Sequence, residues 1–121
     1  MSNSDGVSIT NNNNGVIKSN NNTILGDAGT GADNVTIDNS GEIYTTATGT
    51  ESSAIVFANN DTGNTITNNS GGEIYSSGSE STIVLGVSST LTNSGSIKNN
   101  KSVTNKACLL YTSPSPRDNG R

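Results

Sequence analysis

An aliphatic residue, an Asn-rich turn containing glycine and a second aliphatic residue recur in that order four times along this chain. The copies run from Ile9 to Ile17, from Ile37 to Ile43, from Ile66 to Ile74 and from Leu91 to Ile97. Their closing isoleucines lie 26, 31 and 23 residues apart. Repeats of roughly 20 to 50 residues are typical of solenoids, in which each unit is too small to bury its own core and must stack on its neighbours. The repeat therefore constrains the architecture far more than the biochemical role.

The composition supports thin strands separated by many polar turns. Asn, Ser and Thr number 20, 19 and 16 among 121 residues, while only 28% of the residues are hydrophobic and 13% are charged. Disorder is the competing interpretation, but a disordered chain is usually starved of aliphatic residues and strongly charged. Here the charge is low, and the aliphatic residues form short β-branched clusters at corresponding places in each unit, which favours a β-solenoid.

Each unit is predicted to contain three short strands. The first carries the opening aliphatic residue, and the second carries the closing isoleucine. The third is formed by the clusters Thr23–Leu25, Ala54–Phe57 and Ile83–Leu85, with Val103 as a weak fourth member. Ile83 and Leu85 should face inward if Ile55 and Phe57 do, because side chains alternate across a strand.

The sequence thus predicts an all-β, right-handed parallel β-helix of about four coils. The approximate coils are 9–34, 35–63, 64–88 and 89–107, following an irregular N-terminal edge at 1–8. A meander of hairpins would also use Asn-Gly turns, but it does not explain why like residues return at the same phase one unit later.

Two kinds of ladder are expected along the stacked units. Asn and Gly tolerate the positive φ of a sharp corner, and stacked corner asparagines can form hydrogen-bonded ladders like those of cross-β assemblies. Tyr44 and Tyr75 recur in phase and predict an aromatic ladder between neighbouring units, with contact to sugar rings as the alternative.

The residues from Cys108 onward differ abruptly from the rest. The run 108–118 reads CLLYTSPSPRD and holds both prolines and the only cysteine. It resembles the translation of a transposase-type sequencing adaptor, so 108–121 is predicted to be a non-native, disordered tail. A Ser/Pro-rich linker is the alternative. The adaptor interpretation implies that the chain is a fragment of a longer protein.

Charge and the N-terminus exclude several functional classes. Residues 1–107 carry nine acidic residues against four lysines, a net charge of −5. This argues against nucleic acid as a partner, because binding phosphate requires a cationic surface. The start MSNSDGVSITNNNN is not a signal peptide, and no segment approaches the ~18 apolar residues of a membrane span. We therefore expect no membrane contact by this segment, and any export signal to lie outside it.

Three motifs suggest chemistry, and each has a simpler structural interpretation. Gly29–Val35 partly matches the calcium-binding G-G-x-G-x-D repeat, but Ala28 replaces the first glycine and the motif occurs once. Glu42 and Glu73 occupy equivalent positions and could pair as glycosidase carboxylates, although repeated surface positions are the commoner explanation. We predict no enzymatic activity, no cofactor, and no catalytic or metal-binding residue.

The third motif is a set of outward-facing strand residues that resembles the threonine arrays of ice-binding solenoids. Its pairs are Ser8/Thr10, Thr36/Asp38, Thr65/Thr67 and Thr90/Thr92. The array is interrupted at Asp38 and Ser8, and threonine on the solvent face of a strand also reflects its β propensity.

The copies T-I-T-N-N-S-G-G-E-I (65–74) and L-T-N-S-G-S-I (91–97), with the intervening run 49–57, resemble passenger regions of bacterial autotransporters and related β-helical adhesins. The resemblance covers about residues 8–104. It implies a structural stalk or adhesin segment, exposed at the surface of a Gram-negative bacterium or secreted. Expected partners are the neighbouring coils of the full-length chain, and glycans or proteins of host or neighbouring-cell surfaces. A carbohydrate-acting or carbohydrate-binding β-helix and a calcium-binding β-roll are the alternatives.

Overall fold

The computed structural model describes residues 4–26, 32–99 and 108–110, and within these ranges all of the regular secondary structure is short β-strand. The strands are β1 (Ser4–Asp5), β2 (Ser8–Asn11), β3 (Val16–Ser19), β4 (Ile24–Leu25), β5 (Ala32–Asp33), β6 (Thr36–Asn39), β7 (Glu42–Thr45), β8 (Ile55–Val56), β9 (Thr65–Asn68), β10 (Glu73–Ser76), β11 (Ile83–Leu85), β12 (Thr90–Asn93), β13 (Ser96–Asn99) and β14 (Cys108–Leu110).

Three parallel sheets of four strands collect corresponding strands of successive repeat units. The first sheet has the order β12-β9-β6-β2, the second β13-β10-β7-β3 and the third β14-β11-β8-β4. Every strand pairs in parallel with a strand one unit away, and the chain visits the three sheets in turn before it returns to the first. The prediction of an all-β chain with parallel strands in phase is confirmed, and it is consistent with a β-solenoid-like class.

Like residues stand opposite one another in the register of these sheets. Ile37 pairs with Ile9 on one side and Ile66 on the other in the first sheet. In the second sheet, Ile43 and Ile74 are neighbours. The register is strongly specified, because a slip by one residue would turn every inward isoleucine out to solvent.

The core consists of these aliphatic columns. In the middle strands of the first two sheets the burial alternates, with the isoleucine buried and the residues beside it more exposed, as in Thr36–Asn39. Completely buried members, at 0–1% exposure, are Val35, Ile37, Ile43, Ile55, Phe57, Ile66, Ile74, Ile83 and Leu85. Ile55, Phe57, Ile83 and Leu85 therefore face inward as predicted. Burying one such side chain contributes roughly 1.5–3 kcal/mol to stability. Because each unit buries only a few of them, few residues per unit hold the stack together.

The corner between the first and second sheets is closed by a ladder of asparagines, which confirms the predicted corner arrangement. Asn11 Nδ2 donates to Asn39 Oδ1, Asn39 Nδ2 to Asn68 Oδ1, and Asn68 Nδ2 to Asn93 Oδ1, each at 2.8 Å. We call these four residues the Asn ladder. The same amides also donate to corner backbone carbonyls, including that of Gly41 at 3.0 Å. One side chain per unit thus bonds its own corner and the next unit.

Two segments differ from, or extend beyond, what the sequence suggested. Ser4–Asp5, within the edge predicted to be irregular, forms a two-stranded parallel pair with Ala32–Asp33. The strand that pairs with β11 on the far side is Cys108–Leu110, which belongs to the run predicted to be a disordered tail. The adaptor origin of 108–121 stays a prediction, and Val103 and 111–121 lie outside the described residues.

Candidate functional site

Because alternate residues of strands in register point to the same side, the outer surface carries columns of equivalent side chains. Three features of this surface are candidate sites: a groove beside the Asn corner, a tyrosine column on the second sheet and a hydroxyl face on the first sheet. The predicted calcium motif lies at another corner.

An open groove runs along the corner between the first and second sheets. Its lining is mostly corner backbone and small polar residues: Asn13, Asn14, Gly15, Val16, Ser40, Gly41, Glu42, Gly71 and Glu73. Glu42 and Glu73 are direct neighbours in the strand register, as expected for equivalent positions in successive units. The same column continues to Val16 and Ser96, which add no titratable group.

Each glutamate thus has the other as one register neighbour and an uncharged residue, Val16 or Ser96, as the second. An acid–base pair depends on environments that distinguish the proton donor from the acceptor, and neither Val16 nor Ser96 carries a charge that would do so. In the described part of the chain, no group of three or more His, Cys, Asp or Glu side chains could hold a metal ion. Glu42 and Glu73 thus give the groove an acidic lining.

A stack of two tyrosines lies beside the glutamates on the second sheet. The rings of Tyr44 and Tyr75 are parallel within 5°, with centroids 4.6 Å apart. Lys98 lies over the outer face of this stack, with Nζ 6.0 Å from the Tyr75 centroid, and Lys18 is the in-register neighbour of Tyr44. We call Lys18, Tyr44, Tyr75 and Lys98 the tyrosine column. The predicted aromatic ladder is confirmed.

The electrostatics of this column follow from its packing. Partial burial raises the pKa of Tyr75, and the nearby charges of Glu42 and Glu73, together with Tyr44, raise it further. The stacking also covers the ring faces that would contact a sugar, because each tyrosine presents one face to the other. The stacked pair therefore suits support of the sheet, because cross-strand aromatic pairs stabilise neighbouring strands.

The first sheet presents a face of hydroxyl groups. Its two in-register columns are Ser8–Thr36–Thr65–Thr90 and Thr10–Asp38–Thr67–Thr92. None of the eight is buried, as the alternation predicted: Thr65 and Thr67 are intermediate in exposure, and the other six are exposed. Asp38 interrupts the second column and accepts a hydrogen bond from Asn69 Nδ2 at 2.6 Å. The favourable β propensity of threonine accounts for this face.

The calcium motif is described only from Ala32 onward, and Gly29–Gly31 lie outside the described residues. Asp33 Oδ1 accepts a hydrogen bond from the backbone N–H of Thr62 at 2.8 Å. In the next unit, Asp61 Oδ1 accepts from the backbone N–H of Ala32 at 2.9 Å. Both carboxylates thus bind backbone donors across units, which is the role of a polar corner.

Asp61 and Asn64 are among the buried polar residues that were not anticipated from the sequence. Asp61 is completely buried, and its second oxygen accepts from Ala58 N–H at 2.9 Å, so one carboxylate closes its own turn and holds the preceding unit. Asn64 is also completely buried; its Oδ1 accepts from Val35 N–H at 2.8 Å, while no described residue accepts from its Nδ2. Both occur once, within the polar run 58–65, where nothing distinguishes them from exposed turn residues.

No protein family, curated protein or solved structure matches this chain. None of the described residues forms a helix long and apolar enough to cross a membrane.

Proposed function

We propose that this chain is a segment of a right-handed parallel β-helix, about four coils long, that serves as a structural stalk or adhesin segment of an autotransporter-like protein. The observation that carries the proposal is the continuity of the ladders. The isoleucine columns and the Asn ladder pass from unit to unit without a break in register from β2 to β12. Such a molecule lengthens by repetition, as a spacer must.

The handedness rests on a general rule of chain topology. Every unit leaves the first sheet, passes through the second and third, and returns to pair in parallel beside its starting strand. Connections between parallel strands of one sheet are right-handed in nearly all known proteins, because a twisted strand packs back onto its sheet most easily that way. A right-handed coil is therefore the expected form of this topology.

The proposed mechanical role follows from the direction of the interactions that hold the units together. Backbone hydrogen bonds, isoleucine packing and the Asn ladder all act between units, along one direction. Each added coil extends a parallel stack by about 4.8 Å and contacts only its neighbours. The outer surface is hydroxyl-rich, and within the described ranges the exposed large hydrophobic residues are Val16 at 52% and Leu25 at 45%. Such a surface keeps a long rod soluble without dedicating it to one ligand.

The surface location rests on the resemblance to autotransporter passengers. The proposed setting is the outside of a Gram-negative cell. Partners would be the neighbouring coils of the full-length protein and glycans or proteins of host or adjacent cells. No catalytic role is proposed. Neither the stacked tyrosines nor the backbone-bonded Asp33 and Asp61 favours the carbohydrate or calcium alternative.

The stalk proposal is tested by lengthening the chain. One, two and three further copies of 64–88 are inserted after Ser88, and small-angle X-ray scattering gives the maximum dimension and the cross-section. Each copy should add about 4.8 Å in length at constant cross-section. A cross-section that grows with every copy would show a globular packing and contradict the proposal.

The surface proposal needs a separate test. The complete reading frame is tagged within this segment and expressed in a Gram-negative host, and intact cells are treated with protease. Loss of the tag from intact cells supports surface exposure. Retention of the tag until the cells are lysed, or a catalytic domain in the same reading frame, would contradict it.

A further inference from the structure

The tyrosine column suggests a covalent chemistry that is independent of the stalk proposal. Tyr44 and Tyr75 belong to different units, 31 positions apart in sequence, yet are direct register neighbours with ring centroids 4.6 Å apart. We propose that Tyr44 and Tyr75 form a site of oxidative cross-linking, at which a one-electron oxidant of the haem-peroxidase class joins them as dityrosine.

The chemistry balances with hydrogen peroxide as the terminal oxidant. Each phenol loses one electron and its hydroxyl proton and becomes a phenoxyl radical. Its unpaired electron is shared with the Cε carbons, which are ortho to the oxygen. One Cε–Cε bond then forms between the two rings, and the hydrogen on each bonded carbon moves to the phenolic oxygen. Two electrons and two protons leave in total, and peroxide takes them up to give two water molecules.

The geometry favours the partner within the same chain. The strand register holds the two rings together before oxidation, which replaces a bimolecular encounter by an intramolecular one. Lys98 lies 6.0 Å from the Tyr75 centroid on the outer side of the stack, so a ring from another molecule meets a cation there. Both side chains are intermediate in exposure on the outer surface, and coupling requires the rings to tilt from face-to-face stacking until their Cε atoms meet.

The composition leaves few competing targets for an oxidant. The chain has one methionine, one cysteine, no tryptophan and three tyrosines. A single cysteine cannot make a disulfide within the chain, whereas the tyrosine pair offers a route to a covalent link between units. Such a link would restrain neighbouring units in the unfolded chain, as a disulfide does.

The residue positions allow a direct assay. The whole chain is treated with a haem peroxidase and hydrogen peroxide, and the monomer band is digested with a protease that cleaves after glutamate. Cleavage after Glu42, Glu51, Glu73 and Glu80 places the two tyrosines in separate peptides, 43–51 and 74–80. The expected product is these two peptides linked, two hydrogen atoms lighter than their sum, with dityrosine fluorescence. The linked monomer should also show a higher Tm.

Matched variants locate the link. Tyr75→Phe keeps a stacked ring but lacks the phenol and should abolish the linked product. Tyr111→Phe removes a phenol elsewhere and should leave the yield unchanged. Oxidation in concentrated urea should remove the preference for the 44–75 pair. The proposal is overturned if the folded wild type yields only linked dimers, or if 43–51 joined to 74–80 is no more abundant than links to Tyr111.

Discussion

Two corners of the molecule solve the same problem in different ways. At the corner between the first and second sheets, every unit supplies an asparagine, and these bond one another at 2.8 Å. At the corner that leads from the third sheet back to the first, Asp61 and Asn64 each appear once. Both side chains bond the preceding unit, and Asp61 also closes its own turn. Repetition therefore gives one corner a continuous ladder, whereas the other depends on individual buried groups.

The difference teaches where cooperativity between units should lie. A ladder residue such as Asn39 bonds the units on both sides of it, so its loss affects two interfaces. Asp61 serves one interface and its own turn. In a linear stack, stability is roughly the sum of unit terms and nearest-neighbour interfaces. Changes in the Asn ladder should therefore cost more than equivalent changes at the other corner.

The largest effect is expected from Asn39→Ala. This completely buried amide accepts from Asn11 Nδ2 and from the Gly41 N–H, and it donates to Asn68 Oδ1. Among the described contacts, alanine leaves the Gly41 N–H and Asn68 Oδ1 without a partner, whereas Asn11 keeps the carbonyls of Gly15 and Glu42. Each unsatisfied buried group costs about 1–3 kcal/mol, and we expect a loss of about 3 kcal/mol in the free energy of unfolding. Urea unfolding followed by circular dichroism measures it.

The matched control is Asn93→Ala at the exposed end of the same ladder. Asn93 accepts from Asn68 alone among the ladder residues, and Asn68 keeps its carbonyl acceptors. A loss of about 1 kcal/mol is expected. Equal losses for the two variants would show that the ladder does not couple neighbouring units.

The second prediction concerns the close approach of glycine to the ladder. A Cβ on Gly72 would overlap Asn68 Oδ1 and lie 2.7 Å from the carbonyl oxygen of Asn39, whereas a Cβ on Gly49 would meet nothing within 4 Å. Gly72→Ala should therefore destabilise by about 1–3 kcal/mol, as overpacking does. Gly49→Ala should change stability by less than about 0.5 kcal/mol. Thermal unfolding of both variants beside the wild type checks this, and a tolerated Gly72→Ala would mean that the corner backbone shifts freely.

The third prediction addresses the other corner through Asp61→Asn. The amide keeps one oxygen acceptor, but its NH₂ faces the second backbone N–H, so either Ala32 or Ala58 loses its partner. A loss of about 1–2 kcal/mol is expected. Asp38→Asn is the control, because Asp38 is exposed and the amide oxygen can still accept from Asn69. Urea unfolding measures both variants. If Asp61→Asn were as neutral as Asp38→Asn, the hydrogen bonds of buried Asp61 would not stabilise this corner.

The contrast between the corners also explains what could be predicted from the sequence. The neighbours of Ile37, Asn39 and Tyr44 could be predicted because the same residue type returns one unit later. Stacking of the units in register then places like residues beside one another. Asp61 and Asn64 have no equivalent in other units, and their burial depends on how loops of unequal length fold over the third sheet. Polar turn residues are exposed by default, and nothing in the local sequence reverses that expectation.

The smallest expected effect is a pH dependence of stability that arises in the tyrosine column and at neither corner. Burial, Glu42, Tyr44 and Glu73 raise the pKa of Tyr75 in the folded chain above its ordinary value of 10.0. The folded state therefore holds this proton more tightly than the unfolded state does, and stability is fully present below about pH 10 and declines as the pH rises through the folded pKa. Because Tyr75 is partly exposed and solvent screens its neighbours, the decline should stay below about 1 kcal/mol. Tyr75→Phe should remove this part of the alkaline slope in urea unfolding, and Glu73→Gln should reduce it. An unchanged slope in Tyr75→Phe would assign the alkaline sensitivity to other groups.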